Sequence, residues 1–168
     1  MNIKKIILAL TVALSSTLAY SQKSRTIGIS ASIQESQFGI MLPIWLDDRL
    51  VLAPAFEIKS VENVGADYAF ALIPRYYFKK DQIMPYLGLR AGAILNVPSI
   101  KNKIDTKTKL DIVTGLAFGA EYFLHEKFSL GVELQGNFSL SDEYSYRFGN
   151  PDGLNFNTGS MVTATVYF

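Results

Sequence analysis

"FSLGVELQGNFSL", residues 128–140, alternates along its whole length. Its even positions, Phe128, Leu130, Val132, Leu134, Phe138 and Leu140, are apolar. Its odd positions, Ser129, Gly131, Glu133, Gln135, Asn137 and Ser139, are small or polar, and only Gly136 interrupts the apolar row. Successive side chains of a strand point to opposite faces, so this period of two describes a strand with one greasy face; a helical period does not fit it. The preceding stretch repeats the pattern, with Leu110, Ile112, Leu116, Phe118, Ala120 and Tyr122 set against Asp111, Gly115, Ala117, Gly119 and Glu121. So does "VTATVYF" at 162–168, where Val162, Ala164, Val166 and Phe168 alternate with Thr163, Thr165 and Tyr167.

Extended outward, the same reading predicts about eight strands, near 26–35, 37–47, 49–60, 66–79, 84–97, 108–124, 127–140 and 157–168. An even number suits a closed, antiparallel, up-and-down barrel, and most of these segments approach the 9–11 residues of a tilted membrane strand. "LDDRL", "FKKDQIMPY" and "LHEKF" read as short polar turns, whereas 97–108 and 141–156 are longer and more polar. Short turns at one end and long loops at the other are the layout of an outer-membrane barrel. The first hairpin, around Glu35 to Gln37, is tighter than that scheme expects. No repeat of solenoid or propeller length is visible.

Residues 1–21 read as a separate object. Lys4 and Lys5 precede the apolar run Ile6 to Leu14, and the small-residue stretch "SSTLAYSQ" follows. That order is a secretory signal peptide, with Ala19 and Ser21 at the small positions before a cut and 22–168 as the exported barrel domain. The apolar run is short for a membrane helix, which needs roughly 18 uninterrupted apolar residues.

Composition excludes several classes. The 168 residues are 49% hydrophobic and 12% aromatic with a net charge of +1, which argues against disorder and against nucleic acid as a partner. There is no cysteine and one histidine, His125, so no disulfide framework, thiolate site or multi-histidine metal site is available, and no cofactor is expected.

Alternation alone does not say which face is outside. A soluble carrier barrel would turn its apolar row inward around a greasy ligand. Three features favour the inverse. The non-apolar row is rich in Gly, Ala and Ser, as a narrow lumen requires, with isolated charges Arg75, Arg90, Glu121 and Glu133. The lysines Lys79, Lys80, Lys101, Lys103, Lys107, Lys109 and Lys127 lie in turns, loops or strand ends rather than in the apolar row. Aromatics gather near strand ends, at Trp45, Tyr76, Phe78, Tyr86, Tyr122, Phe123, Phe128 and Phe168, as in an interfacial girdle. Closing a barrel pairs the last strand with the first and needs an apolar lipid face to its tip. The row Val162, Ala164, Val166 and Phe168 supplies one. This terminal strand also resembles the targeting signature of bacterial outer-membrane barrels, which implies contact with the barrel-assembly machinery during biogenesis.

"ALIPRYYF", "PYLGLRAGA", "GLAFGAEYF", "FSLGVELQ" and "ATVYF", in this order, resemble the PorT-like outer-membrane β-barrel domain family over roughly residues 50 to 168. The resemblance implies a single small barrel, and no catalytic residue carries over from it.

Parity places Glu57, Arg75, Arg90, Glu121 and Glu133 on the inward row of five successive strands, where they are expected to form an ion-pair network that plugs the lumen, with opposite signs as neighbours. Rearranging pairs would instead make a narrow passive pore. In the loops, Lys101, Lys103, Lys107 and Lys109 are candidates for lipid phosphates, and Tyr144, Tyr146, Arg147 and Phe148 for contact with an unknown partner or for packing on the rim. His125 lies in a short turn with no nucleophile to serve, so no enzyme is expected. The reading is an integral outer-membrane protein with a filled lumen and a structural or interaction role, in contact with membrane lipid; the pore and the soluble carrier remain open alternatives.

Overall fold

The computed structural model describes residues 26–35, 37–99 and 107–168. The expected signal peptide, Lys101 and Lys103 fall outside them. Nine strand segments form one closed antiparallel wall: β1 Gly28–Gln34, β2 Gln37–Met41, β3 Ile44–Trp45, β4 Leu50–Val61, β5 Gly65–Tyr77, β6 Ile83–Pro98, β7 Lys109–His125, β8 Phe128–Leu140 and β9 Leu154–Tyr167. Sequence neighbours pair throughout except β2 and β3, and β1 pairs with β9 to close the ring. β2 and β3 both lie along β4 and act as one broken stave, giving an eight-stranded barrel. The break falls at Leu42 and Pro43. Proline has no N–H for the ladder, and the chain is held there instead by Gly28 donating to the Pro43 carbonyl at 2.8 Å and Leu42 donating to that of Pro54 at 2.9 Å.

The stagger of the ring follows from its registers. Pairing runs from Ser30 through Met41, Ala55, Ala71, Gly92, Val113 and Ser139 to Asn155. The β1–β9 register sets Asn155 level with position 40, so the ring returns about ten residues from its start. An even stagger matters physically: it keeps the same alternate rows facing inward all the way round.

The apolar rows face out. Leu72, Leu89, Leu116, Phe118, Leu134 and Val162 are each exposed, while Ser129, Glu133, Gln135, Ser139 and Thr165 on the opposite rows are buried. A soluble carrier would need the reverse, and that alternative is overturned. The aromatic girdle needs a partial correction. Tyr76, Phe78, Tyr122, Phe128 and Phe168 face outward, but Tyr86 and Phe123 are buried in the lumen and Trp45 is half-buried against Tyr77. They share the parity of Arg90 and Glu121 on β6 and β7, and parity outweighs position near a strand end.

One end of the barrel carries the short turns 46–49, 78–82 and 126–127. There Asp47 Oδ1 accepts from the backbone N–H of Arg49 at 2.6 Å and of Leu50 at 2.8 Å. Lys79 pairs with Asp81 at 2.7 Å, and this contact, helped by the N–H of Gln82, holds the Asp81 carboxyl below its ordinary range. The opposite, loop end carries the connections from β6 to β7 and from β8 to β9. Its other two turns are tight, with Glu35 at φ 51° and Asn63 at φ 62°, left-handed conformations that permit abrupt reversals. The last loop is 141–153, shorter than the expected 141–156. Leu154 and Phe156 already alternate with Asn155 and Asn157, which donate to Ser141 Oγ just past β8 at 3.0 Å and to Ser139 Oγ on β8 at 3.1 Å.

A charged plug in the barrel lumen

Inward rows of eight narrow staves converge on little space, so what they carry fills it. At the turn end Val51, Tyr77, Met84, Tyr86, Phe123 and Tyr167 form a buried cluster, with Trp45 stacked on Tyr77 at 4.9 Å. Glu121 sits among them. It accepts hydrogen bonds from Tyr77 Oη at 2.7 Å, Tyr167 Oη at 2.8 Å and Ser129 Oγ at 2.8 Å. Three hydroxyl donors, rather than a cation, accommodate this carboxylate.

At mid-height one continuous chain of charge-assisted bonds crosses the lumen. Glu57 accepts from Arg90 Nη2 through both oxygens, at 2.9 and 3.0 Å. Arg90 Nη1 donates to Gln135 Oε1 at 2.8 Å, and Gln135 Nε2 donates to Glu133 Oε1 at 2.7 Å. Glu133 Oε2 then accepts from Arg75 Nη2 at 2.9 Å and from Tyr86 Oη at 2.7 Å. The Arg75 guanidinium lies 4.8 Å over the Tyr86 ring, a buried cation–π contact. Arg75, Arg90, Glu57 and Glu133 are all buried. Paired and multiply bonded charges are the form in which burial is tolerable.

Four of the five lumen candidates therefore meet in one chain, and Glu121 lies apart from it. Opposite charges meet across the lumen rather than between adjacent strands. Arg90 on β6 reaches Glu57 on β4, and Arg75 on β5 reaches Glu133 on β8. In so narrow a tube an inward side chain approaches strands beyond its neighbour, and arginine is long enough to reach them. Gln135 escaped the charge search because it carries none, although its odd position on β8 already placed it inside.

The loop end adds a third tier. Asp67 on β5 pairs with Arg147 and accepts from Asn96 Nδ2 at 2.5 Å. Asp111 on β7 is buried and accepts from Ser145 Oγ at 2.8 Å and the N–H of Asp142 at 2.9 Å, with Arg147 Nε 3.9 Å away. The 141–153 loop is thus pulled down into the barrel mouth. Of the residues expected as surface contacts, Arg147 turns inward, and Phe148 packs on Ala69, Ile94 and Val113. Tyr144 and Tyr146 are exposed. Lys107 stands 3.4 Å over the Tyr144 ring, and a hydrogen bond with Tyr144 raises the Lys107 ammonium above its ordinary value. Lys109 begins β7 beside Asn96. Asp67 and Asp111, inward by parity, were not singled out in the sequence.

An all-β closed barrel with apolar rows outside and a bonded polar interior defines a class: the small transmembrane barrel. Two solved eight-stranded outer-membrane barrels share the fold. One is the N-terminal β-barrel domain of Pseudomonas aeruginosa OprF, with a TM-score of 0.63 at 14% identity, covering 84% of this chain and 95% of that one. The other is Neisserial surface protein A (NspA), with a TM-score of 0.58 at 15% identity, covering 84% and 93%. No protein-family model matches the chain, and no curated protein matches it in sequence.

Proposed function

We propose that this chain is an integral outer-membrane barrel with a sealed lumen, non-enzymatic, serving as a structural element and, through its loop end, as an interaction module. The observation that carries this reading is the unbroken chain Glu57–Arg90–Gln135–Glu133–Arg75 across mid-lumen. An ion entering would have to part bonds held at low dielectric, where leaving one charge unpaired is expensive. The exposed apolar rows supply the surface that lipid covers. The order of the stretches resembling PorT-like barrels supports the same placement, and the outer row Val162, Ala164, Val166 and Phe168 is the proposed recognition element for the assembly machinery.

Two measurements test it. Protein from the membrane fraction should resist carbonate extraction and migrate differently on gels before and after heating. Reconstituted in planar bilayers, it should show no discrete conductance steps. Reproducible steps from the wild-type chain would replace the sealed barrel with a narrow pore.

A further inference from the structure

Above the mid-lumen chain the barrel is hollow. A cavity of about 590 Å³ lies at the loop end, walled by the inward rows and by residues 145–148 of the last loop. Its floor contains buried polar atoms left without partners. Arg90 lines it, and while both of its terminal nitrogens are bonded, its Nε–H has no acceptor among the described residues. Asn137, 4% exposed, presents an unpartnered Oδ1, and Gln34 contributes a buried Oε1 in the same condition. Buried polar groups are rarely left unpaired, and a cluster of them around one cavity marks a place where something else completes the bonding.

The set constrains what that is. One N–H donor stands with two amide acceptors, so an occupant must both accept and donate. Inorganic phosphate is an anion at neutral pH whose oxygens are mostly acceptors, and these would stand against Asn137 Oδ1 and Gln34 Oε1. An ammonium would face the Arg90 guanidinium. Nor does charge call for an anion: Arg90 is paired with Glu57 and Arg147 with Asp67, Lys59 is matched in number by Glu35 on the same wall, and Lys109 is already engaged. Hydroxyl groups satisfy both needs. Tyr146 and Phe148 add aromatic faces to the wall, suited to the C–H face of a sugar ring, and the volume lies within the range of small-molecule sites.

We propose that this vestibule binds a neutral saccharide unit of one or two rings. The inference rests on the loop end being the interacting end, and it gives that end a ligand class. The unit is either a free sugar or the terminal residue of a glycan.

The test uses the folded chain in a detergent without a sugar headgroup, with the heat-dependent gel shift confirming the barrel in every sample. Neutral mono- and disaccharides (glucose, galactose, N-acetylglucosamine, maltose) and soluble glycans ending in them are titrated by saturation-transfer NMR and calorimetry. At least one neutral sugar should bind. Asn137→Leu, and independently Tyr146→Ala at an exposed position, should each weaken it at least tenfold. Binding of the free sugar, or only of the glycan-terminal residue, supports the proposal and distinguishes the two sources. Binding of inorganic phosphate alone, binding untouched by both substitutions, or no sugar binding by a barrel that shifts on heating would overturn it. A chain with no heat shift would instead remove the barrel reading beneath it.

Discussion

Glu133 holds three donors at once, from Arg75, Tyr86 and Gln135, and its burial makes each of them depend on it. Glu133→Ala leaves the Arg75 guanidinium buried without its counter-ion and should lower unfolding free energy by about 3–5 kcal/mol, read by urea titration in micelles. Replacing both partners, Arg75→Met with Glu133→Leu, should recover much of that loss, since no uncompensated charge remains. A double variant as unstable as the sum of its singles would show that the two residues do not act as a pair. Neighbouring glycines test the fit of the same tier. A Cβ at Gly119 would stand 2.5 Å from the Tyr86 hydroxyl and 2.7 Å from the Val132 carbonyl, whereas one at Gly88 would meet Ala117 Cβ at an ordinary 3.4 Å. Gly119→Val should therefore cost about 1–3 kcal/mol, and Gly88→Ala far less in the same titration.

Among elements, the 141–153 loop depends most on a few bonds. Ser145 and Asp142 anchor to Asp111, and Arg147 bridges to Asp67 on another strand. The loop's backbone bonds, such as Ser141 N–H to the Gly153 carbonyl at 3.1 Å and Asp152 N–H to that of Asp142 at 3.3 Å, tie it to itself rather than to the opposite wall. Arg147→Ala should release the loop from the mouth while leaving the wall intact. Amide hydrogen exchange over 144–152 should accelerate at least tenfold, with exchange in β7 and β8 unchanged. Equal protection in the variant would mean that Phe148 and the Asp111 bonds suffice. The start of β9 should also stay protected, because Phe138 and Phe156 pair outside it at 5.2 Å and the asparagines bond along its inner face.

Depth in the outer band is a property of the whole molecule. Leu116 lies midway along β7 and faces out, while Leu154 begins β9 at the loop rim. In lipid vesicles Leu116→Lys should destabilise the barrel by about 2–4 kcal/mol and Leu154→Lys by about 0–1 kcal/mol. In a soluble barrel the two positions would behave alike, so equal effects in vesicles would contradict a hydrocarbon belt at mid-height.

Alternation by itself determined the strands, their approximate ends, and which side chains share a face, and the composition of the two rows said which face is outside. Glu57, Arg75, Arg90, Glu121 and Glu133 all lie on the rows that parity assigned, because a period of two is local and every strand carries its own copy. The same rule held the correct facing of Tyr86 and Phe123, obscured only by their nearness to strand ends. Partners were another matter. That Arg90 reaches Glu57 and Gln135, that Glu121 is met by tyrosines from β5 and β9, and that Arg147 drops onto Asp67 all depend on heights around the ring. Those heights come from the stagger of about ten residues, which is a property of the closed wall and of no single strand. The chain's local pattern and the composition of its rows told inside from outside; only closure decided which inward residues stand level across the lumen.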